Sequence, residues 1–387
     1  MTGTSALDRD ALYYPYIHIT DVNWLKATLL CFPNVRRMIP NNYDPDDSEE
    51  IREFCDISGP RGMPLLTSVD LFSPEAQRAE ENLLDKLRAN DEFIRAKYSK
   101  ARTVEQYGSA ANQFCLHDEK IIIGLYNYLT DGVEDDALAW RTGGPADRPT
   151  RHGGQWLALH PALGSAILAV KAISIANDLG LDIVTDSSEV HHTVVSRKEG
   201  EIFEDLIGKV APKRAPGPDE TVDDLAEIVI TTNFDVSKLS VKQIAELLAD
   251  GKDLRRFKDA LIPFAGSIPP IKDAKEREKR LWDAAHDVTE EWEKYKKALP
   301  RFALDAIFES TEVKWPDLAN SLILGGGAIS TFQTGVGVGL GITLVSYAGL
   351  KVWRKYKEQV SSPFGYLSRI GKAQSKNQSF LVLPPIV

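Results

Sequence analysis

Residues 11–40, ALYYPYIHITDVNWLKATLLCFPNVRRMIP, constrain the fold of this chain more than any other stretch. Tyr13 to Ile19 is aromatic and β-branched, which favours a strand because such side chains pack well on a pleated, half-buried surface. Asp21 or Thr20 then offers a side-chain oxygen to cap a short helix through Trp24, Leu25, Thr28 and Leu29. Leu25 and Leu29 stand four apart, on one face of it. Val35 to Ile39 reads as a second strand, stopped by Pro40. A strand, a helix of about a dozen residues and another strand form the βαβ unit that parallel pairing requires. The order predicts an α/β N-terminal domain.

The runs YYPYIHITDVNWLK and LLCFPNVRRMIP, followed by the acidic NNYDPDDSEE, resemble the start of a family of uncharacterised bacterial proteins, the DUF6236 family. A second match is GLDIVTD, Gly180 to Asp186, after a long apolar helix. The resemblance covers mainly the first half of the chain. It implies a bacterial origin and carries no activity, cofactor or catalytic residue with it.

Further along, Ser73-Pro74-Glu75 is a helix start, with the serine as cap and the proline in the first turn. That helix is expected to reach Ala89, with another helical piece to Tyr98 and a third over residues 105–130. GGPADRPTRHGG is a loop by composition. Trp156 to Leu179 is apolar on more than one face, which predicts a core helix. Gly180 ends it, and Asp182 to Thr185 returns as a short buried strand. The Pro-rich stretch from Val210 to Asp219 marks a domain boundary, and Glu227 to Thr232 reads as a strand. From Ser240 the pattern changes. Leu254, Phe257, Leu261, Phe264 and Ile268 form one seam at 3-4 spacing, and Leu281, Ala285, Val288, Trp292, Tyr295 and Leu299 form another. The two read as an antiparallel hairpin with solvated outer faces, KEREKR and EEWEKYKK. The predicted layout is an α/β domain over 1–210 and a linker with a strand at 211–239. A helical hairpin at 240–300 and an apolar glycine-rich element with a tail at 301–387 complete it.

That last element holds the least ordinary stretch. Leu318 to Leu350 is 33 residues without a charge, closed by Lys351, Trp353, Arg354, Lys355, Tyr356 and Lys357. Cations and interfacial aromatics after a long apolar run are how a membrane-spanning helix ends. Five glycines between Ala328 and Leu350, at roughly 1 kcal/mol each, disfavour an aqueous helix by on the order of 5 kcal/mol. The stretch must therefore be buried in protein, paired with another helix or placed in lipid. Gly335, Gly337, Gly339 and Gly341 give small-xxx-small pairs that let another backbone approach closely, and Trp353, Arg354 and Lys355 are candidate interfacial anchors. The same glycines lack the spacing of a dinucleotide or phosphate loop, so no cofactor is expected there. The chain's opening, MTGTSALDRDALYYP, has no basic region leading into an apolar one. A single span would leave some 317 residues to translocate, so a re-entrant hairpin or a conditionally inserted element is the expected form.

A formal net charge of −10 and a pI near 5.3 argue against nucleic acid as a partner, because such binding needs a basic face. Three scattered cysteines, Cys31, Cys55 and Cys115, suit a reducing compartment better than a disulfide framework, so a cytoplasmic protein is expected, with membrane association conditional. The expected function is non-enzymatic: the glycine-rich segment mediates self-association or conditional membrane contact. Two alternatives stand beside it. One is a structural, partner-binding protein. The other is a PIN-like metal-dependent nuclease or hydrolase, since an apolar helix before GLDIVTD resembles the late part of that fold. There Asp21, Asp182, Asp186 and Glu189 would supply hard oxygen ligands to a divalent metal. That alternative predicts that Asp21, Asp182 and Asp186 converge.

Overall fold

The structure, a computed structural model, describes residues 9–40, 43–108, 113–133, 135–142, 156–186, 199–209, 218–249, 251–271, 273–298 and 364–378. Glu189, Leu299, Gly335, Gly337, Gly339, Gly341, Trp353, Arg354 and Lys355, most of the loop after Thr142 and the terminal apolar run lie outside the described residues.

The βαβ expectation is met with shorter strands. β1 (Ala11–Tyr13), α1 (Val22–Cys31), β2 (Val35–Arg37), α2 (Glu49–Asp56) and β3 (Leu66–Ser68) follow in order. Asp21 caps α1, its carboxylate accepting from the backbone N–H groups of Asn23 and Trp24 at 2.8 and 3.0 Å. Next come α3 (Pro74–Ala89), capped by Ser73 as expected, α4 (Asp91–Tyr98) and α5 (Lys100–Tyr107). The expected helix over 105–130 is only partly there. β4 (Phe114–His117) and a 3-10 turn at Asp118–Lys120 interrupt it before α6 (Ile123–Thr130).

β5 (Ala139–Thr142) and β6 (Trp156–Leu159) follow, and α7 (Pro161–Leu179) begins five residues later than the apolar run suggests. Trp156 to Leu159 is extended because it is the central strand of an antiparallel sheet of order β4-β6-β5, where pairing on both sides satisfies its backbone. His160 then caps α7 and Pro161 opens it. α7 is long and apolar enough to cross a membrane, and 72% of its apolar window is buried inside the protein. Gly164 is where it meets β4: a Cβ there would lie 2.3 Å from a Phe114 ring carbon.

β7 (Asp182–Val184) completes a parallel sheet of order β3-β2-β1-β7, with Tyr13 opposite Arg37 on one side and Val184 on the other. It is half-buried rather than buried, being the edge strand. β1 is enclosed on both faces, as parallel strands are. Ala11 and Tyr13 enter one core, while Leu12 and Tyr14 enter the other, with α3, α6, α7 and α8 (Glu199–Leu206).

The first core is completed from the C-terminal half by α9 (Pro218–Asn233), α10 (Val241–Leu248), α11 (Lys252–Ser267), α12 (Ala274–Ala298) and α13 (Gly365–Gln378). The strand expected at Glu227 to Thr232 is part of α9. Its β-branched residues suggest extension, but Val222, Leu225, Ala226, Val229 and Ile230 are buried at helical spacing, and burying that face outweighs a weak local preference. α11 and α12 occupy the two expected seams. Leu254, Phe257, Leu261, Leu281, Ala285, Val288 and Trp292 are buried, and the pair closes around α9, which also rests on α1. Segments on either side of 210–219 thus share one core.

Candidate functional site

In an open parallel sheet, ligands bind beyond the carboxyl ends of the strands, where the strand order reverses. Here the chain lays β2 and β3 to one side of β1 and later β7 to the other, so the reversal lies between β1 and β7. At that edge the Tyr13 hydroxyl lies 3.0 Å from the Asp186 carboxylate and 3.1 Å from the His18 carbonyl, two alternative acceptors for one proton. Burial and the Asp186 charge raise the Tyr13 phenol far above its ordinary range. Burial also raises Asp186, and the Asp21 carboxylate adds to this against the Tyr13 bond. Asp21 and Asp186 are thus close enough to feel each other.

Asp182 is not with them. It sits at the opposite, amino end of β7, its backbone N–H bonded to the Asp10 carbonyl and its carboxylate 3.4 Å from Arg9. Burial and then Asp223 push it up to about 6. Four residues of extended chain put Asp182 and Asp186 about 13 Å apart. The predicted convergence of Asp21, Asp182 and Asp186 therefore fails. Among the described residues no group of three or more His, Cys, Asp and Glu side chains is placed to hold a metal ion. Asp21 also spends one oxygen on its helix cap, so Asp21, Asp182 and Asp186 do not gather into one divalent-metal set among the described residues.

Beside this pair stands a cluster that sequence reasoning missed. β4 and β6 pair His117 with Trp156. Their rings meet edge-on at 5.1 Å, with Tyr43 edge-on to His117 at 5.3 Å and to Trp156 at 6.1 Å. The Tyr43 hydroxyl in turn lies 3.2 Å from His18 Nε2. Burial lowers the His117 imidazole against the pull of Asp118 and Glu119. His117 Nδ1 accepts from the Glu119 backbone N–H.

Lys120, three residues on, is 2% exposed. Its ammonium reaches the Pro15 carbonyl, just past β1, at 3.4 Å. Burial and the Lys171 charge push it down to about 7. No spacing in HDEK signals this, because burial comes from β1 and α7, far away in sequence. The sign of the pH effect follows directly. An unfolded lysine titrates near 10.4, so between about pH 7 and pH 10 the unfolded chain holds the extra proton and stability rises with pH. In urea denaturation the wild type should gain stability relative to Lys120→Met as pH rises above 7, so that the variant's advantage shrinks. The slope approaches about 1.4 kcal/mol per pH unit. A difference that stays flat with pH would return Lys120 to the ordinary range.

A second buried network lies beneath. Lys171 of α7, 0% exposed, donates to Glu80 of α3 at 3.0 Å and to the Lys120 carbonyl at 2.6 Å. Its one visible sequence signal is that it is the only basic residue in a largely apolar helix. His160, also buried, is held down to about 4 by burial and Lys97, so it serves as a neutral helix cap. No protein-family model matches this chain, and no curated protein and no solved structure proves similar to it.

Proposed function

We propose that this is a non-enzymatic cytosolic protein, bacterial by the resemblance of its opening, whose segment 318–350 mediates self-association or conditional membrane contact. One observation carries the reading: both flanks of that segment are seated in the same core. Trp292 on α12 and Phe364, just before α13, have ring centroids 6.0 Å apart. Tyr366, Leu367 and Ile370 of α13 are fully buried. With both flanks held in one body, a segment between them that met a bilayer would cross it an even number of times or not at all.

Length then narrows the choice. Thirty-three uncharged residues folded back on themselves make two helical legs of about 24 Å, shorter than a hydrocarbon core of about 30 Å. A shallow re-entrant dip or pairing with a second copy fits; two full crossings do not. Gly335 with Gly339 and Gly337 with Gly341 suit close helix pairing in either case, and Trp353, Arg354 and Lys355 suit the interface.

The test compares the full chain with an internal deletion joining residues 298 and 364 through a short Gly/Ser linker. Liposome flotation and light scattering are read on both. Flotation of the full chain alone supports membrane contact, and a dimer formed by the full chain alone supports self-association. Identical behaviour of the two proteins in both assays would remove the proposal.

A further inference from the structure

Next to the carboxyl end of β1, two deeply buried hydrogen-bond donors are poorly served by the protein. The Trp156 indole Nε1 is inaccessible and has no acceptor among the described residues, and Trp156 as a whole is 4% exposed. The Lys120 ammonium, 2% exposed, reaches one acceptor among the described residues, the backbone carbonyl of Pro15 at 3.4 Å. Both residues pack against one short segment. Lys120 reaches Pro15, while Ile17, two residues on, packs in the same small cluster as Trp156, Tyr43 and Ile39. His117 links them, its ring against Trp156 and its imidazole within electrostatic reach of Lys120.

We propose that Lys120 and Trp156 form a subsite for the oxyanion group, carboxylate or phosphoryl, of a small ligand entering at the carboxyl edge of the parallel sheet. The subsite is independent of the role proposed for residues 318–350. Its chemistry follows from what is present and what is lacking. The locus supplies donors and a cation, so an oxygen acceptor fits it and a metal ion does not. Burial and the Lys171 ammonium both disfavour the charged form of Lys120, and a negative group would offset them better than a neutral carbonyl. An anion there gives the ammonium a counter-ion and the indole an acceptor at once. The buried rings of Tyr43, His117 and Trp156 pack edge-on against one another beside the indole, and such burial strengthens a hydrogen bond made there. A well-packed apolar side chain would be cheaper at position 120 than an unpaired ammonium. Groups kept at a cost in stability are characteristic of binding sites.

The full-length protein is titrated with inorganic phosphate and, separately, with acetate, at ionic strength held constant with chloride. Thermal unfolding and the Trp156 indole N–H resonance, assigned by its loss in Trp156→Phe, are followed together. The expected result is a saturable rise in Tm with one anion, with the resonance shift saturating over the same range. Lys120→Met is expected to unfold at a higher temperature than wild type without anion and to lose at least tenfold in affinity. Trp156→Phe keeps an aromatic ring, loses the N–H, and should weaken binding several-fold. Saturation by phosphate assigns a phosphoryl ligand, and saturation by acetate assigns a carboxylate. Absence of a saturable response to either anion, or an undiminished response in both variants, overturns the proposal.

Discussion

Replacing Glu80 alone with Leu is expected to destabilise the fold by about 3–5 kcal/mol, whereas replacing Glu80 with Leu and Lys171 with Met together should leave stability within about 2 kcal/mol of wild type or above it. The pair joins α3 to α7 with both side chains at 0% exposure. Lys171 also lies over the Phe72 ring at 4.5 Å and donates to the Lys120 carbonyl. Burial opposes both charges, lifting Glu80 to about 7 and lowering Lys171, and their mutual attraction acts against that in each case. Removing the carboxylate alone strands an ammonium with one carbonyl and an aromatic face. Removing both leaves two apolar side chains of similar volume in a core already built from Leu83, Leu84, Leu87 and Ile167. A double-mutant cycle read by urea denaturation at one pH measures the difference. Additive single effects would show that the two groups do not depend on each other.

Truncation after Pro316 is expected to abolish cooperative folding, although the deleted part begins with residues that look dispensable. The reason is α13. Tyr366 donates from its hydroxyl to the Leu30 carbonyl at 2.8 Å, at the end of α1. Its ring lies 5.9 Å from Phe257. Arg369 pairs with Asp253 at 2.7 Å and donates to the Glu246 carbonyl, and the Gln243 side chain donates to Ala373. Losing Tyr366, Leu367 and Ile370 from the core, at about 2–5 kcal/mol for each large side chain, is comparable with a typical net stability of about 5–15 kcal/mol. The internal deletion of residues 299–363 keeps α13 and should unfold cooperatively. Circular dichroism of the two proteins on heating separates the cases. A sharp transition in the truncated chain would mean that α13 contributes little to the core.

The acidic reading of the carboxyl edge and the structure part company for one reason. Asp182 and Asp186 are four apart in sequence, a spacing that a helix would bring to one face. In a strand the same spacing carries them to opposite ends of the sheet. Asp21, distant in sequence, comes to Asp186 because β1 and β7 run parallel and adjacent. Nothing local to either carboxylate records that pairing.

What the sequence alone determined was set by contacts within a few residues. The Asp21 cap and the Leu25/Leu29 face specify α1, Ser73-Pro74 starts α3, and the two apolar seams specify α11 and α12, because caps and helical faces are made by neighbours along the chain. Tertiary structure decided the rest. Trp156 to Leu159 is a strand only because β4 and β5 flank it, and Glu227 to Thr232 is helical only because α1, α11 and α12 enclose α9. Lys120, Lys171 and Glu80 meet only after α3, α7 and the end of β1 have packed. Strand pairing and the burial of charge depend on segments far apart in the chain, and a short-range pattern carries no information about which of them will meet.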